Sequence, residues 1–314
     1  GGMIKTVFNA KVLLFGEYAV VVNGQGLSVP YGVFNGYLTL PTPKQQVDES
    51  VNASQKSVQL FFDYIFALPL KNRANMHFNE QAMKKALQQG LFFAANIPQA
   101  YGLGSSGALI AAVYNQFVQN KIPNTSELNN TNLQLLRTQF ACLEAYFHGK
   151  SSGTDPLICY LNKAVLINQT GLKVLPWVTK KITEKKYIFL LDSLQERPKK
   201  ALVPVFLEKL KEKEFKAVCE KELCYYNEQC INAVICNDKK QLMQYAKRLS
   251  SLQYQYFRFL IPTTLLPKWE QGWRLNDYYL KVCGSGGGGF MLGVTEKPQK
   301  VLEAFGENQI KWVW

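Results

Sequence analysis

The sequence predicts an α+β protein in two lobes, and three observations lead to this fold class. Short β-like runs occur as neighbouring pairs, such as residues 165–168 and 172–175. Long segments with helical periodicity lie between those pairs. A polar and basic stretch at residues 176–184 is typical of a linker. Together these features favour hairpin-linked strands and packed helices in two halves.

Length and composition agree with two domains. The chain has 314 residues and is 47% hydrophobic, which is ample for one large or two medium cores. We place an N-terminal domain at residues 3–180 and a C-terminal domain at residues 181–314. No run of about 18 apolar residues occurs, so we expect no membrane span.

Charge and cysteine content narrow the function classes. The formal net charge is +13, but the basic residues are spread along the chain rather than interleaved with aromatic residues in one dense run. We interpret this charge as a solvated surface with a bias toward phosphate and carboxylate ligands, and a nucleic-acid-binding protein remains a distant alternative. The seven cysteines show no zinc-like spacing, so we expect reduced thiols in a cytoplasmic protein.

In the first half, apolar runs and breaks predict the elements in order. Strands are predicted at residues 4–8, 11–15, 19–22, 33–40, 76–78 and 91–97. Helices are predicted at residues 57–68, from Ser105 or Ser106 to 118, at 131–147 and at 155–161. The aromatic stripe on the first of these helices indicates core packing.

In the second half, long helical segments dominate. Helices are predicted at residues 201–210, 215–235, 239–259 and 301–305, with a further segment at 262–273. Strands are predicted at residues 187–191, 278–283, 290–294 and 310–313. Two of these strands flank a glycine-rich turn.

A loop of small residues between a predicted strand and a predicted helix is the main candidate for ligand binding. Its residues are Gly102, Leu103, Gly104, Ser105, Ser106 and Gly107. Glycines let the backbone approach a ligand, and the N–H groups of an opening helix turn suit an anion such as phosphate. No lysine follows the glycines, so the loop is not a Walker A motif. Simple helix capping is the alternative interpretation.

Two further stretches contain motifs that accompany this loop. Residues 11–21 contain Gly16-Glu17-Tyr18, and residues 281–290 contain a run of glycines from Gly284 to Gly289. In this order, the three stretches resemble the signature motifs of the GHMP kinases, which include galactokinase, homoserine kinase, mevalonate kinase and phosphomevalonate kinase. The resemblance spans the chain from about Lys11 to Gly293.

The resemblance implies a two-lobed GHMP kinase fold. Its N-terminal domain is similar to domain 2 of ribosomal protein S5, and its C-terminal domain is ferredoxin-like. It also implies ATP and Mg²⁺ as cofactors, a small anionic alcohol as substrate, no nucleic-acid or membrane partner, and a possible homodimer.

The most discriminating stretch runs from Glu144 to Asp155. It resembles a mevalonate kinase segment at Glu144, His148, Gly149, Ser152, Gly153 and Asp155. The resemblance makes Asp155 the catalytic aspartate that accepts the substrate proton, with Lys11 beside it to keep the carboxylate ionised. Glu144 and Ser106 become Mg²⁺ ligands, as oxygen atoms suit that ion. From spacing alone, a helix-capping role is the better interpretation of Asp155.

The remaining site residues also follow from the resemblance. Residues 102–107 bind ATP, and the second glycine turn closes the site or contacts substrate. The residues predicted there are Glu17, Tyr18, Gly284, Ser285, Gly286 and Gly287. Glu17 is alternatively a brace for the first strand, and Lys281 is either a surface residue or one that steers phosphate.

Several positions depart from mevalonate kinases and leave the acceptor open. Tyr18 stands where histidine is usual, and Gly107 stands where alanine is commoner. Arg197, Lys199 and Lys200 occupy a segment that often carries threonine, and their charges suit either an extra substrate phosphate or a solvated helix start. We therefore expect mevalonate as acceptor, with phosphomevalonate, then a sugar, as alternatives. A catalytically silent scaffold that binds a ligand is the non-enzyme alternative.

Overall fold

The computed structural model describes residues 5–45, 48–124, 128–176 and 186–314, which divide into two compact units. Unit 1 comprises the described parts of Gly1–Lys11, Pro30–Pro98 and Leu103–Asn162. Unit 2 comprises Val12–Val29, Gln99–Gly102 and the described parts of Lys163–Trp314. The predicted boundary between residues 180 and 181, like most of the predicted linker, lies outside the described residues and stays a prediction.

Strands and helices follow one another in short groups along the chain. The strands are β1 (Phe8–Phe15), β2 (Gly26–Thr39), β3 (Phe92–Ala95), β4 (Ala164–Asn168), β5 (Gly171–Leu175), β6 (Ile188–Asp192), β7 (Tyr279–Lys281), β8 (Phe290–Val294) and β9 (Ile310–Trp312). The helices are α1 (Glu49–Ala67), α2 (Glu80–Gln88), α3 (Ser105–Phe117), α4 (Asn130–His148), α5 (Thr154–Leu161), α6 (Val203–Lys209), α7 (Lys213–Val218), α8 (Cys224–Cys236), α9 (Lys239–Tyr256), α10 (Leu266–Leu275) and α11 (Pro298–Phe305).

Unit 1 is built around helices that pack through aromatic side chains. The C-terminal half of β2 pairs antiparallel with β3, with Gly36 opposite Ala95. Tyr114 of α3 packs edge-on against Phe140 of α4 and Tyr160 of α5, with ring centroids 4.9 and 5.2 Å apart. Such fully buried aromatic contacts fix the three helices that carry the predicted catalytic residues.

Unit 2 contains an antiparallel four-stranded sheet in the order β7-β8-β6-β9. Ile188 pairs with Val294, and every residue of β8 is buried, as expected for a central strand. In the same unit, β4 pairs with β5 in a tight hairpin and with the N-terminal end of β2. Helices α8 and α9 are neighbours, and α9 packs on β7.

The α+β fold class is confirmed, and several elements match closely. Helix α3 begins at Ser105, as the glycine loop predicts, and α4 lies within one residue of its predicted bounds at either end. The predicted hairpin is β4 and β5. All seven cysteines are free thiols. None of the described helices combines the length and apolarity needed to cross a bilayer.

Four predicted elements were wrong. Residues 19–22 are not a strand: Val20–Val22 is a 3₁₀ turn, because the Val21 and Val22 amides donate to the Tyr18 and Ala19 carbonyls. The run at residues 76–78 makes a single bridge rather than a strand. Strand β1 runs without the predicted break at residues 9–10. The predicted helix at 215–235 is interrupted by a π-helical turn at Cys219–Leu223.

Candidate active site

The glycine loop at residues 102–107 leads into the first turn of α3, which lies in the candidate site of unit 1. Gly104 is the N-cap of this helix with φ 73°, a left-handed conformation that glycine adopts without strain. Ser105 and Ser106 follow as the first helical residues. No side chain caps the helix, so its first N–H groups remain available to an anion, as the sequence predicts.

Lys11 on β1 lies directly over this loop. Its amide donates to the Leu103 carbonyl at 3.0 Å. A Cβ atom on Gly104 would lie 2.9 Å from the Lys11 Cγ, so the lysine stem occupies the space that any side chain there would need. The ammonium Nζ reaches Asp155 Oδ1 at 3.2 Å. The predicted pairing of these two residues is therefore present.

Glycines hold Asp155 at this position. Helix α5 begins after Gly153, where φ is 75° and a Cβ would lie 2.2 Å from the Arg137 carbonyl of α4. A Cβ on Gly107 would lie 3.2 Å from the Asp155 carbonyl carbon, so α3 and α5 approach closely at their first turns. Any larger residue at Gly153 would therefore shift the start of α5, which carries Asp155.

Glu144 is buried on α4, with 5% of its surface exposed. The Ser151 hydroxyl donates a short hydrogen bond to its carboxylate. Burial, reinforced by the negative charge of Asp155, raises the pKa of Glu144 to about 7. Two carboxylates therefore lie within electrostatic reach of each other, with Lys11 only partly offsetting their charge.

Ser106 and His148 are also brought together. Ser106 Oγ lies 3.1 Å from His148 Nε2, in the last turn of α4. His148 follows Glu144 by one helical turn, so α4 presents both side chains on one face. The sequence analysis matched His148 to the mevalonate kinase segment without assigning it a site role, and it did not single out Ser151. The resemblance at His148 was the available signal for the former, whereas nothing marked the latter.

The residues of unit 1 fit a magnesium ion. A buried carboxylate with a raised pKa beside a second carboxylate is stabilised when a cation is added, and Ser106 supplies a hydroxyl oxygen. Within the described part of the chain, no group of three or more metal-binding His, Cys, Asp or Glu side chains occurs. An ion held by Glu144 and Ser106 would thus take its other ligands from phosphate oxygens and water, as Mg²⁺ commonly does.

In unit 2, the predicted residues Glu17 and Lys281 form a buried ion pair. Their side chains are 3% and 2% exposed. The Lys281 ammonium also donates to the Leu14 and Val282 carbonyls, each at 2.8 Å. Burial raises the pKa of Glu17, and the lysine charge opposes that shift. The geometry favours the bracing role for Glu17, and Lys281 is not a surface residue.

Tyr18 is tied to the second glycine turn, which connects β7 to β8. Its hydroxyl donates to the Ser285 carbonyl at 2.5 Å, and its ring packs on Phe206. Burial raises the pKa of Tyr18 to about 12, although the Arg197 charge opposes this shift. The phenol is therefore a neutral donor near pH 7. Gly284, Gly286 and Gly287 all have positive φ, as a tight turn requires.

Arg197 lies between the two glycine motifs inside unit 2. Its guanidinium donates to the Cys283 carbonyl at 2.7 Å and to the Ser285 hydroxyl at 3.1 Å. A Cβ on Gly102 or Gly284 would lie 2.2 or 2.6 Å from the Arg197 Nη2. Lys199 and Lys200 are exposed. Of the three cations left open by the sequence, Arg197 is the one that the fold packs against glycine-motif backbone.

Comparisons with known proteins agree with this geometry. Residues 71–163 match the family described as GHMP kinases N terminal domain, and this range contains the loop, Glu144 and Asp155. The matched segment is therefore similar to the N-terminal domain of GHMP kinases. The fold of the chain also matches solved structures along almost its whole length.

Three solved structures illustrate the likeness. L. major mevalonate kinase in complex with R-mevalonate has 16% identity and a TM-score of 0.62, covering 99% of this chain and 94% of that one. Methanococcus jannaschii mevalonate kinase has 18% identity and a TM-score of 0.60, covering 99% and 97%. Streptococcus pneumoniae phosphomevalonate kinase has 14% identity and a TM-score of 0.56, covering 100% and 99%. No curated protein sequence matches the chain.

The solved structures show the fold, but they do not reach the individual residues. At such identities the structures agree in backbone rather than in substrate contacts. The roles predicted for Asp155, Lys11, Glu144 and Ser106 therefore rest on the geometry of unit 1, where all four residues lie together. The residues predicted around the second glycine turn lie together in unit 2.

Proposed function

We propose that this protein is a GHMP kinase, that it transfers the γ-phosphate of ATP to a primary alcohol and that mevalonate is the acceptor, giving 5-phosphomevalonate. The observation that carries the proposal is the contact between Lys11 and Asp155 next to the uncapped first turn of α3. A carboxylate, a cation and a helix N-terminus in one place supply a proton acceptor and an anion site for phosphoryl transfer.

Each predicted site residue of unit 1 has a distinct role in this reaction. Asp155 accepts the proton of the acceptor hydroxyl, and its half-exposed side chain leaves it open to a substrate. Lys11 places its ammonium 3.2 Å from that carboxylate and so adds positive charge beside it. The N–H groups of Ser105 and Ser106 bind phosphate oxygens.

Glu144 and Ser106 would hold Mg²⁺, which when bound neutralises phosphate charge. Because phosphoryl transfer passes through a loose transition state, positioning and charge neutralisation supply most of the acceleration. The raised pKa of Glu144 means that this carboxylate binds a cation fully only when it is deprotonated.

Support for mevalonate comes from the stretch between Glu144 and Asp155. It resembles mevalonate kinases at six positions, and in the structure its carboxylates face the lysine of the first motif. Mevalonate is an anionic primary alcohol, which suits the strongly basic chain.

Phosphomevalonate is the second candidate acceptor. Tyr18 replaces the usual histidine, and Arg197 adds a cation beside the second glycine turn. An acceptor that carries its own phosphate would use such a cation. The guanidinium already donates to the Cys283 carbonyl and the Ser285 hydroxyl, so this candidate ranks below mevalonate.

The test is ATP consumption with mevalonate, phosphomevalonate, galactose and homoserine as acceptors, each with Asp155→Asn as control. Turnover with mevalonate that falls about 10²–10⁴-fold in the variant supports the proposal. Turnover with phosphomevalonate alone selects the second candidate. ATP binding without turnover on any acceptor favours the silent scaffold, and the absence of ATP binding contradicts the kinase activity itself.

A further inference from the structure

A cavity of about 790 Å³ lies in unit 2. None of its lining residues belongs to the glycine motifs or to the predicted site residues of unit 1. Its charged lining residues are Lys186, Lys239, Lys240 and Glu296, and its floor includes Tyr187 and Met243. This volume falls in the range of pockets that bind metabolites. The proposed phosphoryl transfer makes no use of it.

The cavity carries uncompensated positive charge. Three lysines face one glutamate in its lining, and among the described residues none of the three lysines forms a salt bridge. Neighbouring Lys297 differs, since it pairs with Asp277. Cations that share a concave surface repel one another, so a bound anion would relieve that repulsion.

Two of the three lysines lie over aromatic rings. Lys239 Nζ lies 5.1 Å from the centroid of the Tyr187 ring, and Lys186 Nζ lies 5.7 Å from that of Trp312. Tyr187 and Met243 are themselves buried, so the floor is a fixed apolar surface beneath a charged rim. This combination suits a ligand with two parts, one apolar or aromatic and one anionic.

We propose that this cavity binds a phosphorylated small molecule, with its phosphate at Lys239 and Lys240 and an apolar or aromatic group on Tyr187 and Met243. Lysine is a common partner of phosphate, and the concave shape of the cavity distinguishes its lysines from those dispersed over the surface. The site is separate from the proposed reaction, and its ligand need be neither ATP nor the acceptor.

The experiment is calorimetric titration of the full chain with phenyl phosphate at low ionic strength, with inorganic phosphate and phenol as the two half-ligands. The Lys239→Ala/Lys240→Ala variant is expected to weaken phenyl phosphate binding at least tenfold. Glu296→Lys is expected to strengthen it at least threefold, because it replaces the one acid of the lining with a cation. Each half-ligand should bind more weakly than phenyl phosphate.

The matched control is Lys209→Ala/Lys211→Ala on the surface of the same unit. Lys209 also lies over an aromatic ring, 5.0 Å from the Phe259 centroid, but it does not line the cavity. Binding in this control and in Ser106→Ala should match wild type. Unchanged binding in the Lys239/Lys240 variant, or equal weakening in the control, would overturn the proposal. ATP turnover should remain at the wild-type rate in the Lys239/Lys240 variant, so a failure of the proposed kinase function is seen separately.

Discussion

Two lysine–carboxylate pairs differ in burial, and we propose that one pair serves chemistry and the other structure. In unit 1, the Asp155 side chain is 43% exposed beside Lys11, whereas in unit 2 the side chains of Glu17 and Lys281 are almost fully enclosed. An enclosed pair must find all its partners within the protein, and Lys281 does so with two backbone carbonyls. The half-open pair leaves its carboxylate accessible, which the proposed reaction requires. The same residue types therefore have different surroundings in the two units.

The largest expected effect concerns the enclosed pair. Glu17→Leu leaves the Lys281 ammonium buried without its carboxylate, so the free energy of unfolding should fall by about 3–5 kcal/mol. The double variant Glu17→Leu/Lys281→Met removes both charges and should recover much of that loss. Urea unfolding of the three proteins measures this. A double variant no more stable than the single would show that the pair is not the source of the loss.

The second prediction uses the pH dependence of Glu144. Its pKa is raised in the folded protein from an ordinary 4.5 to about 7, so the folded state binds the extra proton in that interval. Stability should therefore fall as pH rises from about 4.5 to 7, by about 3 kcal/mol in total without Mg²⁺. Glu144→Gln should lack this loss. Unfolding measured at several pH values in a chelating buffer tests it, and a wild-type-minus-variant difference independent of pH would contradict it.

The third prediction isolates the close approach at Gly153. Gly149 and Gly153 both have positive φ, but only Gly153 has backbone atoms where a Cβ would lie. Gly149→Ala should cost about 1 kcal/mol of stability from backbone strain alone. Gly153→Ala should cost about 2 kcal/mol more and also reduce turnover, since it displaces Asp155. If thermal unfolding shows equal losses of stability in the two variants, the close approach at Gly153 costs nothing, because α5 shifts freely.

The smallest effect concerns the anchor of the second glycine turn. Tyr18→Phe removes the hydrogen bond to the Ser285 carbonyl and should cost about 1 kcal/mol. Tyr279→Phe is the matched control, because its hydroxyl contact with Asn276 is long at 3.4 Å. The control should change stability by less than about 0.5 kcal/mol. Chemical denaturation compares the two, and an equal change in both would remove the anchoring role of Tyr18.

Local signals explain which parts of the fold were predictable. Ser105 after Gly104 is a helix start that depends only on neighbouring residues, and the structure begins α3 there. The valine-rich run at residues 19–22 also looked local, yet Gly16 and Ala19 accept turn hydrogen bonds that override its β propensity. The π-helical turn at Cys219–Leu223 left no pattern in the sequence.

The candidate site likewise combines positions that the sequence indicates with contacts that it does not. Motif positions identified Lys11 and Asp155 separately, and the fold then placed them 3.2 Å apart. The contact of Arg197 with Gly102 and Gly284 joins residues that are distant in the chain, so no spacing could indicate it. Burial of Glu17 and Lys281 likewise depends on packing from several elements.

The most direct test of the roles proposed for the two lysine–carboxylate pairs compares Lys11→Met with Lys281→Met. ATP turnover and the free energy of unfolding are measured in parallel. Loss of Lys11 should lower turnover about 10²–10³-fold and change stability by less than about 1 kcal/mol, because water solvates the half-exposed Asp155. Loss of Lys281 should cost about 3 kcal/mol of stability, with turnover per folded molecule reduced far less. Full turnover in Lys11→Met, or unchanged stability in Lys281→Met, would contradict the assignment of chemistry to one pair and structure to the other.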